Sequence, residues 1–347
     1  MSEGGPLYQL TLARVREAVR EPGVLFWVFG FPILLSVGLG LAFRGRGPEP
    51  VVVGLLEGPG AADVEHALGA AGIKVERVDE ARARTRLRAG KVALVIVPGA
   101  TTAAPLTYRY DPKPAEARLA RAAVDDVLQR AAGRRDPRAV RDAPVTERGS
   151  RYIDFLIPGL VGMNLMSGSM WGIGWVIVNM RVRKLLKRLL ATPMRRRDLL
   201  LAQAIARTGS VPLEVGALLV FARLAFDVRV TGSWLALAVM SVAGALAFAG
   251  LAILVASRAQ NTETVSGLMN LVMMPMFVLS GVFFSAAHFP DVLQPALSLL
   301  PLTALNDGLR AVMIDGAGFG AVARPLAILG AWGLASFGVG LRIFRWG

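Results

Sequence analysis

The chain contains no cysteine and only two histidines, His66 and His288. Disulfide frameworks, iron–sulfur clusters, thiolate zinc sites and cysteine nucleophiles are thereby excluded, and the two histidines lie too far apart in sequence to mark a His-rich metal site. No G-x-x-x-x-G-K-[ST] run occurs, so the chain has no phosphate-cradling loop of its own. H-E-x-x-H, G-x-S-x-G and clustered acidic metal ligands are missing as well, which leaves no constellation for an intramembrane enzyme. Acidic side chains are scarce: 25 Asp and Glu face 39 Lys and Arg, a formal net charge of +14 and a pI of about 11.2. Such a balance fits nucleic-acid binding, but the cations sit largely beside apolar stretches, where they read as membrane orientation instead, and no nucleic-acid partner is expected.

What the chain has in abundance is apolar residue. Hydrophobic types make up 54% of it, with 38 glycines besides and a mean hydropathy of +0.51. That composition points away from a plain water-soluble globule and toward a membrane protein. Residues 24–43 run without a charge for 20 positions, enough at about 1.5 Å per residue to cross a hydrocarbon core of about 30 Å. The run is longer than a signal-peptide core and ends in Phe43-Arg44-Gly45-Arg46, so it reads as a retained anchor. Further spans are expected at 151–180, 208–226, 234–257, 264–284 and 321–344. The fold class predicted is a polytopic α-helical membrane protein with six transmembrane helices and an inserted extracytoplasmic α/β domain.

Six spans put both termini on one side, and the positive charges choose which. The arm 1–23, the loop 181–207, Arg258 and the tail carry 15 positive residues, whereas the opposite short segments, 227–233 and 285–320, carry only Arg229 and Arg310. The termini and the 181–207 loop are therefore expected in the cytoplasm.

Between the first two spans, 44–150 changes character. Val51–Leu56, Ile73–Val78, Val92–Val97 and Leu106–Tyr110 read as strands, and 61–71, 80–89 and 115–132 as helices. Residues 133–150 are charged and poor in large apolar side chains, a linker back to the second span. The acids Asp63, Glu65, Asp125 and Asp126 read as solvated helix faces; an external gate or a binding module are the functional readings. No internal repeat is evident.

Two features carry functional expectations. On a helical wheel, Val182, Leu185, Leu186, Leu189 and Leu190 share one face and Arg181, Arg183, Lys184, Lys187 and Arg188 the other, a basic amphipathic helix that Pro193 stops. It suits either an interface of anionic lipid or a cytosolic partner. Ionisable groups also fall in or near apolar stretches: Asp154, Glu214, Arg223, Asp307, Arg310 and Arg324. Glu214 and Arg223 lie on opposite sides of one helix and cannot pair there. Asp307 and Arg310, at i and i+3, can. Residues 285–320 are broken by Pro290, Pro295 and Pro301 and read as a re-entrant or interfacial hairpin at the outer end of a route. Met273, Met276, Phe277, Phe283 and Phe284 either line that route or serve as core and lipid-facing packing.

The run Asn270–Phe284, then Phe289-Pro290 and Leu300–Ala311, resembles the C-terminal signature of type-2 ABC-transporter permeases, the drug, lipid and polysaccharide exporter class. Asp154–Gly159 is similar to the start of that family's second span, and Lys187–Leu200 to its cytoplasmic loop. The resemblance covers essentially the whole chain, although Arg183 to Lys187 stand where family loops often carry Glu or Gly.

It implies an exporter subunit in a prokaryotic inner membrane that pairs with a second permease copy, as homodimer or close heterodimer. Two cytosolic P-loop ATPase subunits would hold the ATP and Mg, this chain binding no cofactor. The coupling residues implied are Leu185, Leu186, Arg188, Leu189, Thr192, Pro193 and Arg195. The route candidates are Asp154, Glu214, Met273, Met276, Phe277, Phe283 and Phe284, with Pro301, Asn306, Asp307 and Arg310 in the external hairpin. Two other classes stay open: a proton- or ion-coupled carrier using Glu214 and Asp154, and a non-transporting assembly or sensor protein.

Overall fold

Side chains facing alternately to the two sides of a sheet organise the smaller of the chain's two units. In the computed structural model, which describes residues 23, 26–42, 52–99, 101, 104–138, 140–141, 151–190, 196–286 and 289–345, the chain divides into two units, 45–144 and 1–44 with 145–347. In the smaller one, β1 (Val52–Leu55), β2 (Lys74–Arg77), β3 (Leu94–Val97) and β4 (Thr107–Arg109) form a sheet of order β2-β1-β3-β4. β1 runs parallel to both neighbours, with Val53 opposite Val75 and Leu94, and β4 closes the far edge antiparallel. Helices α2 (Ala61–Ala70), α3 (Glu80–Arg88) and α4 (Ala115–Ala131) connect and cover it. Side chains one apart on a strand face opposite ways. Val53, Leu55, Leu94 and Ile96 accordingly pack with Ala61, Val64, Leu68 and Val124 from α2 and α4, while Val95 packs with Val78, Ala83 and Val92 on the α3 face. Every element falls within about two residues of the runs read from sequence.

The larger unit is helical. α1 spans Phe26–Ala42, its first five residues wound as a π-helix. Five longer helices follow: α5 (Tyr152–Val182), α7 (Arg196–Phe226), α8 (Trp234–Ala256), α9 (Thr262–Leu279) and α12 (Phe319–Ile343). All five are long and apolar enough to cross a membrane; α1, at 17 residues or about 25 Å, is shorter. Between them lie the short α6 (Leu185–Leu190), α10 (Gln294–Ser298) and α11 (Pro301–Met313). The expected N-terminal arm lies outside the described residues except for Gly23.

α8 is apolar on all sides, as a helix surrounded by others must be. Small residues let its neighbours come close: a β-carbon on Gly250 would stand 2.7 Å from the Gly333 carbonyl of α12. Two boundaries differ from the sequence reading. α7 begins at Arg196, twelve residues before the expected span, because Arg196–Arg207 keeps helical periodicity despite its charges. α9 ends at Leu279 rather than continuing through Phe284, since Ser280 closes the helix and Gly281 turns the chain at φ 68°.

The proline-broken hairpin is also more internal than an interfacial reading implies. α11 starts on Pro301, where a missing amide costs nothing, and nearly every side chain from Pro301 to Met313 is buried against α5, α8 and α12. The Thr231 hydroxyl donates to the Met313 and Ile314 carbonyls at 2.9 and 3.0 Å, and the Trp332 indole to Leu299 O at 2.8 Å.

Candidate functional site

Three groups of functional side chains emerge from this bundle. The first is the basic segment after α5. The sequence expects one helix through Val182–Leu190, but the structure breaks it: Arg183 and Lys184 form a turn, with Lys184 in the left-handed region at φ 59°. The amide of Lys184 donates to Arg181 O at 3.0 Å and that of Arg188 to Lys184 O at 3.4 Å, so α6 starts anew at an angle set by the turn. The apolar face is split. Leu186 is 1% exposed and turned into the chain's own packing, which takes it off any partner-facing surface, whereas Leu185 is 37% exposed. Lys187 and Arg188 are exposed. The Leu189 side chain, Thr192, Pro193 and Arg195 lie outside the described residues.

Arg181, one turn before α6, is read from sequence as an orientation charge and as part of the polar face of the basic helix. Its guanidinium instead donates to carbonyls of Ala256 at 2.9 Å, Ser257 at 3.2 Å, Arg345 at 2.7 Å, and Ala259, and it stacks 5.2 Å from the Phe344 ring. The last carbonyls of a helix have no partner within it, and a cation there also meets the negative end of the dipole.

The second group is a charge pair inside α7. Glu214 is 4% exposed and Arg207 8%. They are seven residues apart, two turns, and so on the same face. The Arg207 guanidinium donates to Glu214 Oε1, to Ser210 Oγ at 2.8 Å, to Ser169 Oγ at 3.0 Å, and to Leu165 O at 3.4 Å. Ser169 passes the connection on to Ala245 O of α8 at 3.2 Å. Gly168 makes room for it: a β-carbon there would stand 2.7 Å from an Arg207 nitrogen. Glu214 Oε2 has no hydrogen-bond partner among the described residues. Arg223, set opposite Glu214 in the sequence reading, turns to Asp227 just past the helix end. Arg207 escaped sequence reasoning because it was counted with the loop charges; a seven-residue spacing to Glu214 is the signal that points to it.

The third group surrounds α11. Arg310 does not close on Asp307, as the i, i+3 spacing allows. It lies 3.7 Å over the Phe155 ring and donates to Gly281 O and to Phe155 O at 3.5 Å. Burial explains the choice: Asp307 stays exposed, while Arg310 faces α5, where carbonyls and an aromatic face are its available partners. Asn306 is fully buried and donates to Ser280 O at 3.0 Å. Gly162 is the reason it fits, since a methyl there would overlap Asn306 Oδ1. Oγ of Ser280, Oγ1 of Thr303, Oδ1 of Asn306 and Nε of Arg310 are buried without hydrogen-bond partners among the described residues, a polar seam between α11, the turn after α9, and α5.

The remaining candidates scatter. Asp154 is bound by both guanidinium arms of Arg151, at 2.9 and 2.7 Å, at the start of α5, where a carboxylate also suits the dipole, and Arg151 donates onward to Phe226 O at 2.9 Å. Met273 and Met276 are buried in the apolar core with Phe277 and Phe283 against it, and Phe284 is 68% exposed. Asp154 and Glu214 are thus each paired with a nearby arginine, Glu214 through one of its two oxygens.

Comparison with known proteins follows this architecture. A family model described as ABC-2 family transporter protein matches residues 22–342. Nodulation protein J of Sinorhizobium fredii is 30% identical over 188 residues, 52% of this chain and 69% of that protein. Nodulation protein J of Rhizobium meliloti is 32% identical over 168 residues, 48% of this chain and 63% of its own length, so the alignment spans less than two thirds of that relative. ABC transporter G family member 20 of Dictyostelium discoideum is 26% identical over 171 residues, 49% of this chain and 23% of that one. Members of such a family are membrane subunits that work with an ATP-binding partner. With the match running across nearly every helix of the bundle, the chain belongs to the ABC-2 transporter family, as a multi-pass membrane permease subunit.

Proposed function

We propose that the protein is the permease of an ATP-driven exporter that moves an amphipathic or lipid-like molecule out of the cytoplasm or the inner leaflet. Two copies pair in the inner membrane of a prokaryote with α1 as a sixth span, both termini in the cytoplasm and unit 45–144 outside. Two cytosolic ATPase subunits, holding ATP and Mg, dock on α6 and the segment after it. ATP-driven closure pulls on α6 and biases the bundle between two arrangements. The α11 hairpin then shapes the outer exit.

The observation that carries this reading is the short basic helix hung on the end of α5 in an ABC-2 chain with no phosphate-binding loop. A basic surface with Leu185 exposed at its edge is what a partner of acidic rim and apolar socket recognises. The lipid-like substrate class rests on the apolar character of the bundle. The buried Glu214 gives the gradient-driven alternative little support, since Arg207 already holds one of its oxygens.

The test is to express the chain with its native neighbouring genes, purify it through a tag in mild detergent, and identify what accompanies it. A stoichiometric P-loop ATPase, lost in Leu189→Asp without loss of membrane insertion, is the expected result. A polytopic protein that comes alone through repeated preparations, with efflux that collapses when the proton gradient does, overturns the reading.

A further inference from the structure

Arg181 has a place in the fold that neither membrane orientation nor partner recognition explains. Its two terminal nitrogens carry four N–H donors, and they meet four backbone carbonyls: Ala256, Ser257 and Ala259 at the end of α8, and Arg345 in the tail after α12. The tail is itself tied to the same point, the Arg345 amide donating to Ser257 O at 3.0 Å. Phe344, buried in the core, presents its ring to the guanidinium. One side chain therefore binds the last turn of α5 to the ends of α8 and α12.

The position of that joint along the chain matters. Arg181 O accepts the Lys184 amide at 3.0 Å, and Lys184 O accepts that of Arg188, so only one tight turn separates the clamp from α6. A push on α6 therefore reaches Arg181 through a single turn of chain. Acceptors that are all main-chain atoms cannot rotate away as side chains do, so a guanidinium fork in that geometry moves with the backbone it grips. α8 in turn packs against α5, α7, α11 and α12.

We propose that Arg181 is the positioning residue that makes α6 and the inner ends of α8 and α12 move as one body, so that the ATPase stroke is delivered to the centre of the bundle. This rests on the proposed ATP-driven function. It assigns to Arg181 transmission, not binding: the partner docks on α6, and the clamp decides whether docking moves anything. Lysine, one point charge on a flexible stem, cannot hold four carbonyls in two segments and restores the joint only partly.

The test uses the full permease–ATPase complex and its cysteine-free chain. In Arg181→Ala the ATPase stays bound and basal hydrolysis persists, but substrate transported per ATP falls about tenfold, within the roughly 5–150-fold span of ordinary couplings. Arg181→Lys is intermediate, and Arg345→Ala, which keeps the main-chain carbonyl, matches the wild type. Spin labels on cysteines placed at Lys187 and Arg258, both exposed, report the joint directly. Their distance distribution stays narrow and unchanged when a non-hydrolysable ATP analogue closes the wild-type complex, and broadens in Arg181→Ala even without the ATPase. Transport per ATP at the wild-type level in Arg181→Ala overturns the proposal, as does a wild-type label distance that shifts with nucleotide. Loss of assembly in both Arg181→Ala and Arg181→Lys assigns the residue to folding and also overturns it. A wild-type chain that never brings an ATPase defeats the proposed function instead, while the label pair without nucleotide still reads whether the clamp exists.

Discussion

Arg207 and Glu214 face each other from two turns apart on α7, and neither is more than 8% exposed. A charge pair this deep is costly to build and costlier to break. Removing one member leaves the other charged in an apolar surround, whereas removing both leaves nothing uncompensated. Glu214→Leu and Arg207→Leu are each expected to destabilise the protein by about 3–5 kcal/mol, and the double variant by clearly less than either. Thermal unfolding in detergent of the three variants checks this. Additive losses would mean that the two residues do not share an interaction.

Gly162 lies where Asn306 needs space on α5. Gly162→Ala forces the buried amide out of its bond to Ser280 O, at an expected cost of about 1–3 kcal/mol. Gly172, whose β-carbon would meet nothing within 4 Å, is the control on the same helix. Gly172→Ala is expected to leave stability within about 0.5 kcal/mol. A thermal shift series separates the two positions.

Arg310 and Asp307 make opposite predictions although they sit one turn apart. Arg310 is held by Gly281 O and the Phe155 face, so Arg310→Ala should cost about 2–4 kcal/mol through stranded carbonyls and lost ring contact. Asp307→Ala should cost under about 1 kcal/mol. Equal losses for the two would indicate a working Asp307–Arg310 pair.

Tyr108 is the titration probe of the α/β unit. Burial pushes its hydroxyl up to about 12, and the nearby charge of Asp125, which accepts its hydrogen bond at 3.3 Å, adds to the rise. The folded chain holds this proton more tightly than an unfolded one, where tyrosine ionises near 10.0. Its contribution to stability is therefore complete below pH 10 and disappears as pH rises through about 12. The difference in phenolate absorbance between wild type and Tyr108→Phe reads it, and Asp125→Asn should lower the midpoint while leaving it above 10. An ordinary midpoint in the wild type would place Tyr108 in solvent.

The α/β unit and the long helices were open to reading because their signals are local. Short apolar runs such as Val52–Leu55 and Leu94–Val97, and long charge-free runs such as Trp234–Ala256, need no knowledge of distant residues. The same reasoning failed where a boundary depends on partners. Sequence places Arg207 in a loop since charge stops a hydropathy window; in the bundle, Ser169, Leu165 O and Glu214 compensate that charge inside the helix. Spacing allows Asp307 and Arg310 to pair, yet Phe155 and Gly281, both more than 25 residues earlier in the chain, take Arg310 instead.

From its residues alone the chain reads as a multi-pass membrane protein with an α/β segment, a basic amphipathic stretch and no G-x-x-x-x-G-K-[ST] run, because each of these is a matter of composition or short-range period. Tertiary structure decided what every buried charge does. Arg181 becomes a clamp on α8, Arg207 the partner of Glu214, and Arg310 a staple from α11 to α5. The physical reason is that an ionised group in an apolar bundle must find its compensation among whatever atoms packing brings within about 3 Å, and for Arg181 and Arg310 those atoms are remote in sequence.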